Sequence, residues 1–187
     1  KPVAGFSVYT WNAADFLGAI AHIRSSCPTI TIIVGGPHVQ RAQDFLYDDG
    51  IDAVVLGEGE TTFQEFLDCG SREEWASVKG LAYLRDGELF QTEPRARCLD
   101  LDSLPSALDV IELRDAEGRP RYPRVAYETS RGCPFKCAFC EWGTGAIGTK
   151  MYQHSLARVR SDFERLIEGG ERMIERTAPH VPETGTA

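Results

Sequence analysis

Residues 131–143 read RGCPFKCAFCEWG and place Cys133, Cys137 and Cys140 at C-x-x-x-C-x-x-C spacing. Thiolates this close together are metal ligands first, because sulfur suits zinc and iron–sulfur clusters. The ligand count separates the options. A structural zinc closes on four ligands, usually as two C-x-x-C pairs. His154, fourteen residues past Cys140, is a candidate for that fourth corner. An electron-transfer cluster held by four cysteines needs one thiolate more than this run supplies. A [4Fe-4S] cluster held by three cysteines leaves one iron free to bind a substrate molecule, and it fits the count.

The other cysteines, Cys27, Cys69 and Cys98, are scattered. One cluster plus scattered single thiols indicates a reducing compartment and a metal site, not a disulfide framework. The N-terminal residues KPVAGFSV lack the long apolar segment of a secretory signal, and runs such as TIIV and AVVL are far short of the ~20 residues of a membrane span. A cytoplasmic protein with no membrane partner is expected. With 42% hydrophobic and 26% charged residues the chain reads as globular, and a net charge of −8 disfavours a nucleic-acid partner. Arg114, Arg119, Arg121 and Arg124 read as a solvated linker, not a binding patch.

Elements that could position the cysteines follow from periodicity. Residues 3–8, 29–34 and 52–56 are short apolar runs of the kind found in buried parallel strands. Between them, a helix capped by Asn12 carries Phe16, Leu17, Ile20 and Ile23 on one face, and a second amphipathic helix spans about 39–49. G-E-G-E at 57–60 leads into a third, TTFQEFLD. Such strand–helix repeats define a parallel sheet with helices on its faces. KGLAYLRDGELFQTE reads as a hairpin turning at Asp86-Gly87, and 93–123 as a linker. VAYETS (125–130) reads as a strand entering the cysteine run. A helix near 155–168 should follow, with Leu156, Val159, Phe163, Leu166 and Ile167 on one face.

The cysteine spacing, the preceding strand and the aromatic Phe139 before the last cysteine resemble the radical S-adenosylmethionine (radical SAM) enzymes. The ordered pieces GFSVYTW, VGGPHV, VLGEGETTF, GLAY, LDLDSLP and ETSRGCPFKCAFCEWG look like the cobalamin-binding subfamily of that group. The resemblance implies that Cys133, Cys137 and Cys140 hold a [4Fe-4S] cluster and that Phe139 packs near the adenine of S-adenosylmethionine. It also implies reductive cleavage to a 5′-deoxyadenosyl radical, methyl transfer to an unactivated centre, and an external electron donor such as flavodoxin or ferredoxin. The substrate, a small molecule or a peptide, stays open. So does a different class of function, a non-catalytic cobalamin- or metal-binding module.

In open parallel sheets ligands bind beyond the carboxyl ends of the strands. This singles out Ser7, Gly35, Gly36, Gly57, Glu58 and Gly59 as cofactor-binding candidates. Gly35-Gly36 matches the G-G of cobalamin domains, and Ser7 matches only the serine of their S-x-L. Their D-x-H-x-x-G is absent, and His38 reads as a solvated loop histidine.

The expected fold class is α/β: a Rossmann-like parallel sheet with flanking helices of cobalamin-binding type, then the first β/α unit of a radical SAM partial TIM barrel. The expected domains are 1–75 (cobalamin-binding-like, incomplete at its N-terminus), 76–123 (hairpin and linker), 124–170 (start of the radical SAM domain, with the cluster loop) and 171–187 (a tail unlike the family). A whole barrel needs ~200 residues, so a truncated, inactive reading frame is the expectation.

Overall fold

A computed structural model of the chain describes residues 2–47, 50–135, 137 and 150–168, in two compact units, 1–98 and 99–187. In the first unit, strands β1 (Val3–Ser7), β2 (Thr31–Gly35) and β3 (Ala53–Val55) are parallel and connected through α1 (Ala13–Ser26) and α2 (Gln43–Leu46). Helix α3 (Glu60–Asp68) and a two-turn 3₁₀ helix at Arg72–Ser77 follow. The hairpin β4 (Leu81–Arg85) and β5 (Glu88–Gln91) then adds to β3 antiparallel, giving the order β1-β2-β3-β4-β5. Its turn residues Asp86 and Gly87 both have positive φ, 54° and 83°, as a two-residue type I′ turn requires.

Alternation along the strands sorts the core onto two faces. Ile32, Val34 and Val54 pack with Ile20, Phe45 and Leu46 on one face, while Ile33, Ala53 and Val55 pack with Phe66 and Trp75 on the other. At the amino end of the sheet, Arg24 donates to the carbonyls of Gly50, Pro28 and Ile30 and to Asp52.

The second unit has single-turn helices at Leu101–Ser103 and Ala107–Asp109, a short antiparallel pair β6 (Ser130–Arg131) and β7 (Tyr152–Gln153), and helix α4 (Leu156–Glu168). Among the described residues no helix is long and apolar enough to cross a membrane.

Several elements differ from the sequence reading. The hairpin forms as expected, but it joins β3 and completes the sheet, and the first unit runs to Cys98 instead of ending at 75. Residues 93–123 are not bare linker, since Leu101 and Leu108 are buried. Of the strand expected at 125–130, Val125 makes an isolated bridge and Ser130 alone falls in a described strand, where β7 supplies ladder bonds. The helix expected at 39–49 shrinks to Gln43–Leu46, because Val39 N–H and the Gln40 amide bond back to Gly36 and Pro37 and make a turn. Asn12 stands at the N-cap of α1, its carbonyl accepting from Phe16 N–H, but its side chain makes no capping bond. That side chain accepts from Tyr9 N–H and donates to Ser7 O instead. On α4 the inward stripe is Val159, Asp162, Phe163 and Leu166, whereas Leu156 and Ile167 are 86% and 73% exposed.

Asp162 is the buried polar centre of the second unit. Its carboxylate accepts from Tyr127 Oη at 2.8 Å, Arg158 Nε at 2.9 Å and Ser106 Oγ at 3.2 Å. Burial opposes its ionisation, but these donors outweigh burial and hold its carboxyl below the ordinary value. Burial, and then the bond to Asp162, push the Tyr127 hydroxyl well above the ordinary phenol value. A carboxyl lowered in the folded state stabilises fully above its unfolded pKa of ~3.9, and that contribution is lost as pH falls through the folded value. Asp162→Asn should therefore destabilise α4 at pH 7 by ~1–3 kcal/mol, and the gap from wild type should close below about pH 4. Amide exchange of α4 in both proteins checks this. A gap unchanged down to pH 2 would refute it.

Candidate functional site

The carboxyl ends of the three parallel strands open onto a cleft of ≈ 310 Å³. Its floor is backbone: Gly5 in β1, and Gly35 at the end of β2. Its walls are Val55, Phe63 and the Gly59–Glu60 start of α3, and Ser7 lies at its rim. The lining is mostly apolar. The volume is near the lower limit of ligand pockets, ~300–1,000 Å³, and suits a narrow arm of a ligand laid against bare backbone. The glycines make this possible. A Cβ on Gly5 would come within 3.2 Å of the Phe63 ring, and one on Gly35 within 3.2 Å of Val55 Cβ.

The structure thus brings together Ser7, Gly35, Gly36 and Gly59 and leaves out Gly57 and Glu58. Glu58 is engaged within the chain. Its carboxylate accepts from Cys98 N–H at 2.6 Å and from Arg97 Nε at 3.2 Å, pinning the end of the first unit. Gly57 adopts φ +83° in open space. His38 is exposed, with Nδ1 3.3 Å from Thr10 Oγ1, in keeping with a solvated loop histidine.

Gly36 lines the cleft, yet its need for glycine comes from the chain itself. It has φ +103°, and a Cβ there would lie 2.8 Å from both N and O of Val8. Sequence reasoning missed Gly5 and Phe63. A glycine inside a strand, which often marks a close backbone approach, was the available signal for the first.

In the second unit Cys133 is buried, 6% exposed, and Cys137 is half-buried. Cys140 and Phe139 lie outside the described residues, and among the described residues no three His, Cys, Asp or Glu side chains gather as metal ligands. Two of the three expected thiols are thus placed, both as free cysteines. His154, the other candidate ligand, has its Nδ1 3.1 Å from Asp102 Oδ1.

Residues 2–67 match the B12 binding domain family. An uncharacterised methyltransferase of Pyrococcus horikoshii is 34% identical over 151 residues, covering 78% of this chain and 32% of the relative. The cobalamin-dependent radical SAM methyltransferase TokK of Streptomyces tokunonensis is 30% identical over 157 residues, covering 79% and 23%. A 2-(S-pantetheinyl)-carbapenam-3-carboxylate methyltransferase of Streptantibioticus cattleyicolor is 32% identical over 153 residues, covering 78% and 22%. The chain therefore spans 22–32% of the length of these relatives. In fold it is similar to the radical S-adenosylmethionine methyltransferase TsrM of Kitasatospora setae, solved with cobalamin and a [4Fe-4S] cluster. The TM-score is 0.63 at 19% identity, over 94% of this chain and 37% of TsrM.

The mixed sheet with its strand-end cleft is thus a Rossmann-like B12-binding domain. The likeness in sequence to the named cobalamin-dependent radical SAM methyltransferase covers 79% of the chain and so runs well past residue 67.

Gly36 and Gly59 should respond differently to substitution. Gly36→Ala forces an L-residue into positive φ against Val8 and should cost about 1–3 kcal/mol. Gly59 has φ −94°, ordinary for any residue, and its Cβ would meet Val55 at 3.6 Å. Gly59→Leu should leave stability within about 1 kcal/mol while filling the cleft. Urea unfolding of both variants checks the contrast.

Proposed function

We propose that the protein holds cobalamin at the strand-end cleft and a [4Fe-4S] cluster on Cys133, Cys137 and Cys140, with S-adenosylmethionine as the cluster's substrate. On this reading it serves methyl transfer to an unactivated centre. The observation that carries the reading is the cleft's bare floor at Gly5 and Gly35, placed where a parallel sheet binds ligands, in a chain that also carries the three-cysteine run. When bound, the cluster supplies the electron that cleaves S-adenosylmethionine, and cobalamin carries the methyl group.

The residues of the chain do the positioning. Gly5 and Gly35 let a cofactor arm lie on backbone, and Phe63 and Val55 keep water from one side of it. The Ser7 hydroxyl offers a hydrogen bond at the rim. The three thiols lose their protons on ligating iron, so iron uptake weakens toward acid pH. Phe139, next to Cys140, supplies the aromatic face for the adenine. The partner this requires is a one-electron donor of the flavodoxin or ferredoxin class.

Anaerobic reconstitution with iron and sulfide should give absorbance near ~400 nm and a reducible, EPR-active cluster. Ala at Cys133, Cys137 or Cys140 should abolish it, and Ala at Cys27, Cys69 or Cys98 should not. Hydroxocobalamin should bind base-off, with Gly59→Leu weakening it at least about tenfold and leaving iron uptake intact. Stoichiometric zinc without iron would overturn the cluster assignment. Equal cobalamin binding by wild type and Gly59→Leu would overturn the cleft assignment.

A further inference from the structure

The polypeptide enters the cysteine run from β6 and returns through β7, and its two ends are bonded to each other. Ser130 pairs with Gln153 and Arg131 with Tyr152, and His154 N–H donates to Thr129 O at 3.1 Å. Asp102 secures the returning strand by accepting from Ser155 N–H at 3.1 Å. On the cysteine side of this neck stands Gly132, with φ +103°. A Cβ there would overlap Lys150 O and lie 3.1 Å from the Lys150 carbonyl carbon and 3.3 Å from Met151 Cα. All three are backbone atoms next to the ladder, so no side-chain rotation relieves the overlap. An L-residue is excluded twice, by conformation and by contact.

We propose that Gly132 is a positioning residue for the cysteine run: by letting the Lys150 carbonyl rest on its backbone it closes the neck from which Cys133 leaves. The inference rests on the reading of Cys133, Cys137 and Cys140 as cluster ligands. Holding three thiolates on one metal core costs chain entropy, and a neck closed beforehand removes part of that cost from the binding step. Cys133, the residue after Gly132, is buried, so a neck closed at Gly132 fixes where its backbone starts.

The test uses the full chain in four forms: wild type, Cys133→Ala, Gly132→Ala and Gly132→D-Ala, the last made by ligation at Cys133. A D-residue favours positive φ and carries its Cβ on the other side. After anaerobic reconstitution and desalting, retained iron and sulfide and the EPR signal of the reduced cluster are measured. Hydrogen exchange is followed at the His154 and α4 amides. Wild type and Gly132→D-Ala should retain equal iron, and Gly132→Ala should retain at least about tenfold less. Exchange at His154 should accelerate in Gly132→Ala while α4 stays protected.

If Gly132→Ala also melts α4, retention of iron by Gly132→D-Ala still supports the proposal. Wild-type iron in Gly132→Ala, or equal loss in both alanine forms, overturns it. Iron retained by Cys133→Ala would instead refute the cluster reading. The His154 exchange rates would then decide the neck alone: acceleration in Gly132→Ala upholds it, and wild-type rates overturn it.

Discussion

Val8 is fully buried, and its two backbone bonds fix the mouth of the cleft. Its N–H donates to Gly35 O at 2.7 Å, and its carbonyl accepts from His38 N–H at 3.0 Å. These bonds carry the β1–β2 pairing past the ends of both strands before the chains part toward α1 and α2. Gly36 is the pivot, since only a residue without Cβ can turn at φ +103° that close to Val8. The floor at Gly35 and the rim at Ser7 keep their spacing because this junction does not open. The glycine pair that looks like a ligand signature is thus, at its second position, a requirement of the protein's own backbone.

The two units are stabilised by different means. The first buries apolar faces on both sides of a sheet, and polar contacts such as the Arg24–Asp52 pair trim its edge. Among the described residues the second buries few large apolar side chains, chiefly Leu101, Leu108 and Leu166. Its order leans on polar centres instead, with Asp162 joining Ser106, Tyr127 and Arg158, and Asp102 joining His154 and Ser155. A buried carboxylate is costly unless it is paired and hydrogen-bonded, and Asp162, 3% exposed, has three donors from three separate segments. Such a centre adds little net stability but selects one arrangement of the segments that meet at it.

What was legible in the sequence follows the strength of the local pattern. β2 and β3 are continuous apolar runs buried on both faces, and the β4–β5 hairpin has a Asp-Gly turn that permits little else. VAYETS has strand-like composition, but a strand also needs a neighbour, and pairing is a tertiary fact: Val125 obtains a single bridge, and only at its end, Ser130 with the following Arg131, does a described ladder form. The 39–49 segment has helical periodicity, yet local bonds to Gly36 and Pro37 win at its start. Site residues divide in the same way. Position beyond a strand end was readable, so Ser7, Gly35, Gly36 and Gly59 fall at one cleft. The direction of a side chain was not, so Glu58, adjacent in sequence, turns instead to Arg97 and Cys98.

Gly36 and Gly132 share the same φ of +103°, and each admits a neighbouring backbone where a side chain would otherwise stand. At Gly36 the neighbour is Val8, leaving an adjacent parallel strand. At Gly132 it is Lys150, on the way back into an antiparallel one. Both candidate sites therefore begin one residue or less from a junction made of backbone alone. Side chains have rotamers and can yield by rotating, whereas backbone held by ladder hydrogen bonds moves only with its whole strand. Binding geometry set in this way is insensitive to substitutions among the surrounding side chains. The floor at Gly35 and the neck at Gly132 are then fixed by neighbouring backbone, whichever side chains surround them.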